Sequence, residues 1–393
     1  MYSQLYFDYN ATTPCSKQVV EVMLPYFKED FGNPSSSHHA YGWLAMSAVE
    51  EATHSIAKSL GVSRNSLIYT SGATESINMV LKGVARKLKA KGKHIITTKA
   101  EHKAVLDTCK FLEEDGFSIS YLDVDSSGLI SLEALNKTLR SDTILVSILY
   151  ANNETGNIQP LHNIAKLVHD NGSLLFSDTT QALGKVSLST ILDLVDFACF
   201  SGHKVYGPKG IGLVYIRDNE NRNTVPSLIQ GGGQQKKQRG GTINTPLIVG
   251  LAKAIQLAQS TLNIESERQK KLRDQLEQSL LEKIEMTVLN SNAPQRLPNT
   301  TNVSFAYVDG ANLLTALSRQ IAVSNGSACN SASVEPSHVL VAMGVDRNLA
   351  YASLRFSIGK FTSVEDIKKA VEIICKEVTK QRENNILWER RNV

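Results

Sequence analysis

The fold turns on one stretch, Ser173–Lys204, which reads SLLFSDTTQALGKVSLSTILDLVDFACFSGHK. Two short apolar runs stand at its ends. The first stops at Asp178, and the second stops at Ser201 with His203 and Lys204 just beyond it. Apolar runs of this length, closed by polar residues, are what strands buried on both faces look like. The pattern recurs in SLIYTSG (Ser66–Gly72), KHIITTKAEH (Lys93–His102), TILVSILYANNETG (Thr143–Gly156) and GIGLVYIR (Gly210–Arg217). Helical patterns lie between many of these runs, as in HNIAKLVHDNG (His162–Gly172). Strands alternating with helices predict parallel βαβ units and a sheet covered on both sides. The fold class is therefore α/β: a large domain with a mainly parallel seven-stranded sheet covered by helices, plus a smaller α+β domain at the C-terminal end.

Beyond Thr245 the pattern changes. A long charge-rich helical run, from IVGLAKAIQLAQ to ESERQKKLRDQLEQSLLEKI, reads as a connector. A smaller α+β region follows, with NTTNVSFAYV and LAYASLRFSIG as strands, and ANLLTALSRQ and VEDIKKAVEIICKEVTKQ as helices. We expect residues 15–258 to form the large domain, and residues 1–14 with 259–393 the small one.

Length and composition agree with two domains. The chain has 393 residues, 42% of them hydrophobic and 20% charged, as in ordinary globular proteins. A net charge of +4, spread along the chain, argues against nucleic-acid binding as the main task. No apolar run is long enough to cross a membrane. The N-terminus MYSQLYFDYNATTP lacks the pattern of a signal peptide, so a cytoplasmic location is expected. The five cysteines are Cys15, Cys109, Cys199, Cys329 and Cys375, too widely spaced for a metal cage or a disulfide framework. Cys109, Cys199 and Cys375 sit in apolar-periodic segments and read as core residues. Cys329 does not, because its surroundings, SNGSACNSAS, are small and polar.

In open α/β sheets ligands gather at the carboxyl ends of the strands. Those ends here carry Thr74, His102, Asn153, Asp178, Gln181, Ser201, His203 and Lys204. TSGATESIN (Thr70–Asn78) follows a strand and opens a helix. The small residues around Ala73 and Thr74 leave backbone N–H groups exposed to a phosphate. Neither GxxxxGK[ST] nor a suitably placed GxGxxG occurs, so the phosphate is not bound in a nucleotide P-loop or a dinucleotide fold. Lys204, at the mouth of a buried strand, reads either as an exposed turn lysine or as a partly desolvated amine able to form a Schiff base. Asp178 lies on the neighbouring strand end. A Schiff-base lysine, an aspartate and a phosphate cradle are what pyridoxal phosphate requires.

At these residues the chain resembles the cysteine desulfurases among the class V, fold-type I pyridoxal phosphate enzymes. The resemblance runs from YFDYNATTP (Tyr6–Pro14) to RFSIGKFT (Arg355–Thr362). It passes through FGNPSS, TSGATES, AEHKAVL, ANNETG, SGHKVYGPKGIG, RGGT (Arg239–Thr242) and GSACNSASVEPSHVL. It implies that Lys204 holds pyridoxal 5'-phosphate, Asp178 pairs with the ring nitrogen, His102 stacks on the ring and Gln181 meets the ring oxygen. Ala73, Thr74, Ser201 and His203 would hold the phosphate, as would Thr242 from the neighbouring subunit of a homodimer. Asn153 and Arg355 would bind the substrate, L-cysteine, with Arg355 clamping its carboxylate. Lys204, His102 and Cys329 would be catalytic. Cys329 would take the sulfur as a persulfide, leaving L-alanine, and pass it to an acceptor protein. Its small polar neighbours suit a mobile tether, expected from Ser327 to Glu335.

Two motifs depart from the family pattern. Thr179-Thr180-Gln181 stands where Ala-Thr-Gln is usual, and SNGSACNS where SSGSACTS is usual. The chain also stops soon after its last helix, in NNILWERRNV, where housekeeping members carry a longer tail that docks the iron–sulfur scaffold. Iron–sulfur assembly and thiolation thus both stand as fates of the sulfur. A selenocysteine lyase or an aminotransferase is the alternative within the fold, and a catalytically dead carrier the alternative outside enzymes. A mobile thiol speaks against the aminotransferase, and the presence of Lys204, Asp178 and Arg355 against the carrier.

Overall fold

A computed structural model describes residues 4–218, 225–325 and 335–390. Cys329 and the tether expected around it, save Glu335, lie outside the described residues. Among the described residues twelve strands form: β1 (Leu5–Tyr6), β2 (Leu67–Thr70), β3 (His94–Thr98), β4 (Ser118–Leu122), β5 (Thr143–Ser147), β6 (Leu174–Asp178), β7 (Phe197–Ser201), β8 (Gly212–Ile216), β9 (Thr287–Leu289), β10 (Thr300–Phe305), β11 (Ile321–Ala322) and β12 (Ser353–Ser357).

Seven of these build the main sheet, in the order β2-β8-β7-β6-β5-β3-β4. Pairing is parallel from β4 through β3, β5 and β6 to β7, and β8 runs antiparallel to both β7 and β2. Successive residues of each strand enter opposite cores. Ile96, Val146, Leu175, Ala198, Phe200 and Leu213 face one side. Ile95, Leu145, Phe176, Phe197, Cys199 and Val214 face the other, against the helices Ala73–Leu88 and Lys103–Glu114. A period of two with both faces buried is why these strands read as unbroken apolar runs. β4 does not read that way. Its SISYL alternates at the sheet edge and is mostly part-exposed, and no apolar run marked it.

Polar residues cluster where the strands stop. Asp178 ends β6 and Ser201 ends β7, and Lys204 follows in a short turn. β6 and β7 are direct neighbours, with Asp178 opposite Cys199, so Asp178 and Lys204 share one sheet edge as the βαβ reading requires. Because β8 is reversed, its first residue, Gly212, comes to this same edge, beside both Ser201 and Thr70. A Cβ at Gly212 would lie 2.5 Å from Gly72 Cα and 2.7 Å from Phe200 O, so only glycine fits.

The helical connector breaks into Thr245–Ser260 and Leu262–Lys283, bent by 71°. The second helix packs with β10, β12 and the helix Val364–Glu383 around a separate core of Leu276, Val303, Phe305, Phe356 and Ile374. Phe7 is buried in that core, and β1 pairs in parallel with β11. Among the described residues no single helix is long and apolar enough to cross a membrane. The expected strand LAYASLRFSIG is partly corrected. Arg347–Tyr351 is a short helix, capped by the Asp346 side chain, and the strand begins at Ser353.

Candidate active site

The helix Ala73–Leu88 starts immediately after β2 and Gly72. The place of the missing Gly72 Cβ lies 3.7 Å from Ser201 Oγ. Ala73 and Thr74 N–H groups and the Ser201 hydroxyl thus line one small hollow, which suits an anion. Glu75, in the first turn, is tied to Arg239 Nε at 2.9 Å and accepts from the Ser71 N–H at 2.7 Å. Burial opposes its ionisation, but Arg239 and Ser71 hold the carboxyl below its ordinary range. The Arg239 charge offsets that of Glu75 beside the hollow.

His203 is half-buried, with Nδ1 3.1 Å from Thr12 Oγ1. Burial, helped by Lys204 and Lys209, pushes its pKa down to about 4, so at neutral pH it acts as an uncharged partner. His102 caps the helix Lys103–Glu114, its Nδ1 accepting from the Ala104 N–H at 3.1 Å. A nitrogen that accepts carries no proton, so the neutral ring is protonated at Nε2. The residue is exposed, yet burial of its ring by the protein around it lowers its pKa. Asp178 opposes that shift and Lys204 adds to it. Both groups therefore lie within electrostatic reach of the imidazole.

The Asp178 carboxylate accepts from the Thr180 N–H at 2.9 Å and from Cys199 Sγ at 3.3 Å. Cys199 is fully buried, and burial together with Asp178 raises its thiol well above the ordinary range. It stays a neutral donor that orients the carboxylate. Thr179, one of the departures from the family pattern, is also fully buried, and its hydroxyl donates to Cys199 O at 2.8 Å.

The other side of the site is built on the N-terminal segment. Lys204 Nζ donates to Asn10 O at 2.6 Å and to Ala11 O at 2.8 Å. Gln181 Nε2 donates to the same Asn10 carbonyl at 3.0 Å. Asn10 Nδ2 donates to Asn153 O at 3.1 Å, and Arg355 Nη1 reaches that oxygen at 3.3 Å. Arg355 Nη2 pairs with Asp8 Oδ1 at 2.6 Å. Six expected residues are thus joined in two groups linked by Lys204: Lys204, Gln181, Asn153 and Arg355 through Asp8–Ala11, and Asp178, His102 and Lys204 at the strand ends. Thr242 is not among them. It is exposed and lines a separate hollow of about 150 Å³ with Ser71, Gln235 and Arg239.

Three participants escaped sequence reasoning. Asn10 is buried and saturated: its side-chain oxygen accepts from Lys185 Nζ at 3.2 Å and Asn299 Nδ2 at 3.1 Å. Lys185 Nζ also donates to Gln181 Oε1 at 2.6 Å, and burial pushes its pKa well down, helped by Lys204 and Arg355. The spacing of Gln181 and Lys185 by four residues was the available signal. Glu101 is buried; Oε1 accepts from the Leu149 N–H at 2.7 Å, while Oε2 has no partner among the described residues. Burial raises its pKa well above the carboxylate range, and Asp178 adds to the shift.

The segment that follows Glu335 is pinned beside the strand ends of the main sheet. Ser337 Oγ donates to Glu154, and His338 Nε2 lies 2.9 Å from Glu101 O, the residue before His102. On the other side, Ser324 exchanges backbone hydrogen bonds with Arg355. The chain on either side of the undescribed stretch is therefore anchored beside His102 and beside Arg355.

A lysine and an aspartate on adjacent strand ends, with an anion-binding helix N-terminus next to them, define a pyridoxal phosphate enzyme of the doubly covered sheet type. The residues fit that cofactor: a hollow of N–H and hydroxyl donors for its phosphate, an oriented carboxylate for its ring nitrogen, and an amine for its aldehyde. Comparisons with known proteins agree. Residues 5–370 match the aminotransferase class-V family. A relative named cysteine desulfurase IscS, from Ehrlichia chaffeensis, is 44% identical over 98% of this chain and 93% of its own length. A solved structure titled NifS-like protein superposes with a TM-score of 0.88 at 39% identity, covering 96% of this chain and 100% of its own. Another, SspA in complex with cysteine, gives 0.78 at 36% identity, covering 92% and 100%. The chain belongs to the aminotransferase class-V family, and within it to the cysteine desulfurases. Its cofactor is pyridoxal 5'-phosphate.

Proposed function

We propose that this cysteine desulfurase takes the sulfur of L-cysteine as a persulfide on Cys329, releases L-alanine and delivers the sulfur to an acceptor protein. One observation carries the reading. Lys204 and Arg355, on separate sheets, both bind the four-residue segment Asp8–Ala11. An amine for the cofactor and a guanidinium for a carboxylate are thereby held together, as an α-amino acid substrate needs.

The bound cofactor supplies an electron sink for the charge that develops at the substrate Cα. Lys204 holds it and moves the Cα proton at its Nζ. Asp178, oriented by Cys199 and Thr180, keeps the ring nitrogen protonated, and His102 covers the ring. Ala73, Thr74, Ser201 and His203 hold the phosphate, and Gln181 the ring oxygen. Arg355 and Asn153 orient the substrate. Cys329 attacks the substrate sulfur as a thiolate. A sulfur–sulfur bond forms, the carbon–sulfur bond breaks, and protonation of the carbon completes L-alanine.

We further place the domain division near residue 258 and read the enzyme as a homodimer. Six large apolar side chains between Leu24 and Leu44 are exposed, among them Phe27, Phe31 and Trp43, more than a monomer's surface ordinarily carries in so short a stretch. We read Thr242, which is exposed, as completing the phosphate site of a neighbouring subunit. Free Cys15, Cys109, Cys199 and Cys375 support a cytoplasmic enzyme. The acceptor is a protein of iron–sulfur assembly or of thiolation.

Purified enzyme given L-cysteine and a thiol reductant should form L-alanine and sulfide in equal amounts. Lys204→Ala should abolish both, and Cys329→Ala should abolish sulfide release. Sulfide at the wild-type rate from Cys329→Ala would refute the persulfide role.

A further inference from the structure

Arg355 is 5% exposed, so its charge must be paired in the absence of substrate. Its partner is the Asp8 carboxylate, with one oxygen on Nη2 at 2.6 Å. Nη1 is occupied by Asn153 O at 3.3 Å, while Nε is buried with no hydrogen-bond partner among the described residues. The Nε–Nη2 edge of the guanidinium is thus half filled. A carboxylate that took both positions would be held in the fork geometry that arginine favours.

Asp8 can yield this place without disturbing the fold. Its backbone is fixed: the carbonyl accepts from the Ala11 N–H at 3.0 Å and Tyr6 Oη at 3.1 Å, and the residue bridges to Ser357 of the strand that carries Arg355. Its side chain, by contrast, is 21% exposed, so the carboxylate has water to turn into.

We propose that Asp8 is a positioning residue for Arg355. Its carboxylate stands in for the substrate's on Arg355, keeps the buried cation paired between turnovers, and is displaced when an amino acid binds. Only a ligand with a carboxylate of its own has to displace Asp8, so Asp8 weakens the binding of such ligands and leaves that of simple amines and thiols unchanged. This rests on Arg355 as the site of the substrate carboxylate.

The test is calorimetric titration of the cofactor-loaded enzyme with 3-mercaptopropionate, which carries the carboxylate and thiol of the substrate but no amine. Cysteamine, which lacks the carboxylate, is the control. Asp8→Asn keeps the shape and removes the competing charge. It should tighten 3-mercaptopropionate binding about tenfold, the scale of one charge-assisted hydrogen bond. It should leave cysteamine binding as in the wild type and lower KM for L-cysteine more than it changes kcat. In the Arg355→Ala background the same substitution should have no effect on 3-mercaptopropionate. Unchanged or weaker 3-mercaptopropionate binding by Asp8→Asn, with Arg355→Ala still defective, overturns the role of Asp8 alone. Wild-type binding by Arg355→Ala overturns the reading of Arg355 itself.

Discussion

At the scale of single residues, the site depends on groups kept uncharged by burial. Glu101 is the clearest. Its carboxyl is fully buried, bonded once, and next to Asp178. Its pKa in the folded chain is raised, so between the ordinary carboxyl value and the raised one the folded state binds the extra proton. That contribution is complete at pH below the unfolded value and is lost as pH rises toward the folded one. Glu101→Gln keeps the bond to the Leu149 N–H and removes the titration. Relative to wild type, the variant should gain unfolding free energy as pH rises above about 4.3, by up to about 1.4 kcal/mol per pH unit while the carboxyl stays protonated in the fold. Denaturant unfolding at several pH values checks this, and a constant difference across pH would show that Glu101 does not titrate. Glu101 was invisible in sequence because AEHK reads as a polar strand end with His102 as its evident member. Which of two adjacent residues turns inward depends on the loop from Leu149 to Asn153 folding over it. Asp8 and Asn10 were hidden for the same kind of reason, since their partners lie 347 and 194 residues away.

At the scale of elements, strand ends were the legible feature. Buried parallel strands leave apolar runs whose endpoints are sharp, so Asp178, Ser201 and Lys204 could be located before any fold was known. What the runs could not show is strand order. The reversed β8 places Gly212 against Gly72, and this contact shapes the phosphate hollow. Gly212→Ala would force the backbones of β8 and Gly72 apart. Such overpacking costs about 1–3 kcal/mol, and the same displacement should weaken cofactor binding, because Gly72 precedes the helix that meets the phosphate. Melting with and without cofactor, together with a cofactor titration, reads both effects; native affinity in a stable Gly212→Ala variant would contradict the packing argument. β4 shows the converse, a half-exposed edge strand without an apolar run, and Arg347–Tyr351 shows how an apolar stretch preceding a strand can hide a capped helical turn.

At the scale of the whole molecule, the main sheet and the core built around β10 and β12 meet at the site, and the N-terminal segment makes the junction. The N-terminal segment pairs with β11 and β12, then delivers Asp8 to Arg355 and Asn10 to Lys204 and Gln181. The pieces flanking the Cys329 segment are fixed at Ser324 beside Arg355 and at Ser337 and His338 beside Glu101. The proposed persulfide route needs Cys329 to reach the residues proposed to bind the substrate, and the described chain on both sides of it is held near them. The direct test is a single turnover: enzyme in excess over L-cysteine, with no reductant present, quenched and analysed for L-alanine and by peptide mass spectrometry. One L-alanine should appear for each Cys329 peptide heavier by one sulfur atom, with none from Lys204→Ala. L-Alanine formed while Cys329 stays unmodified, with its sulfur appearing as free sulfide or on another cysteine, would contradict the central claim.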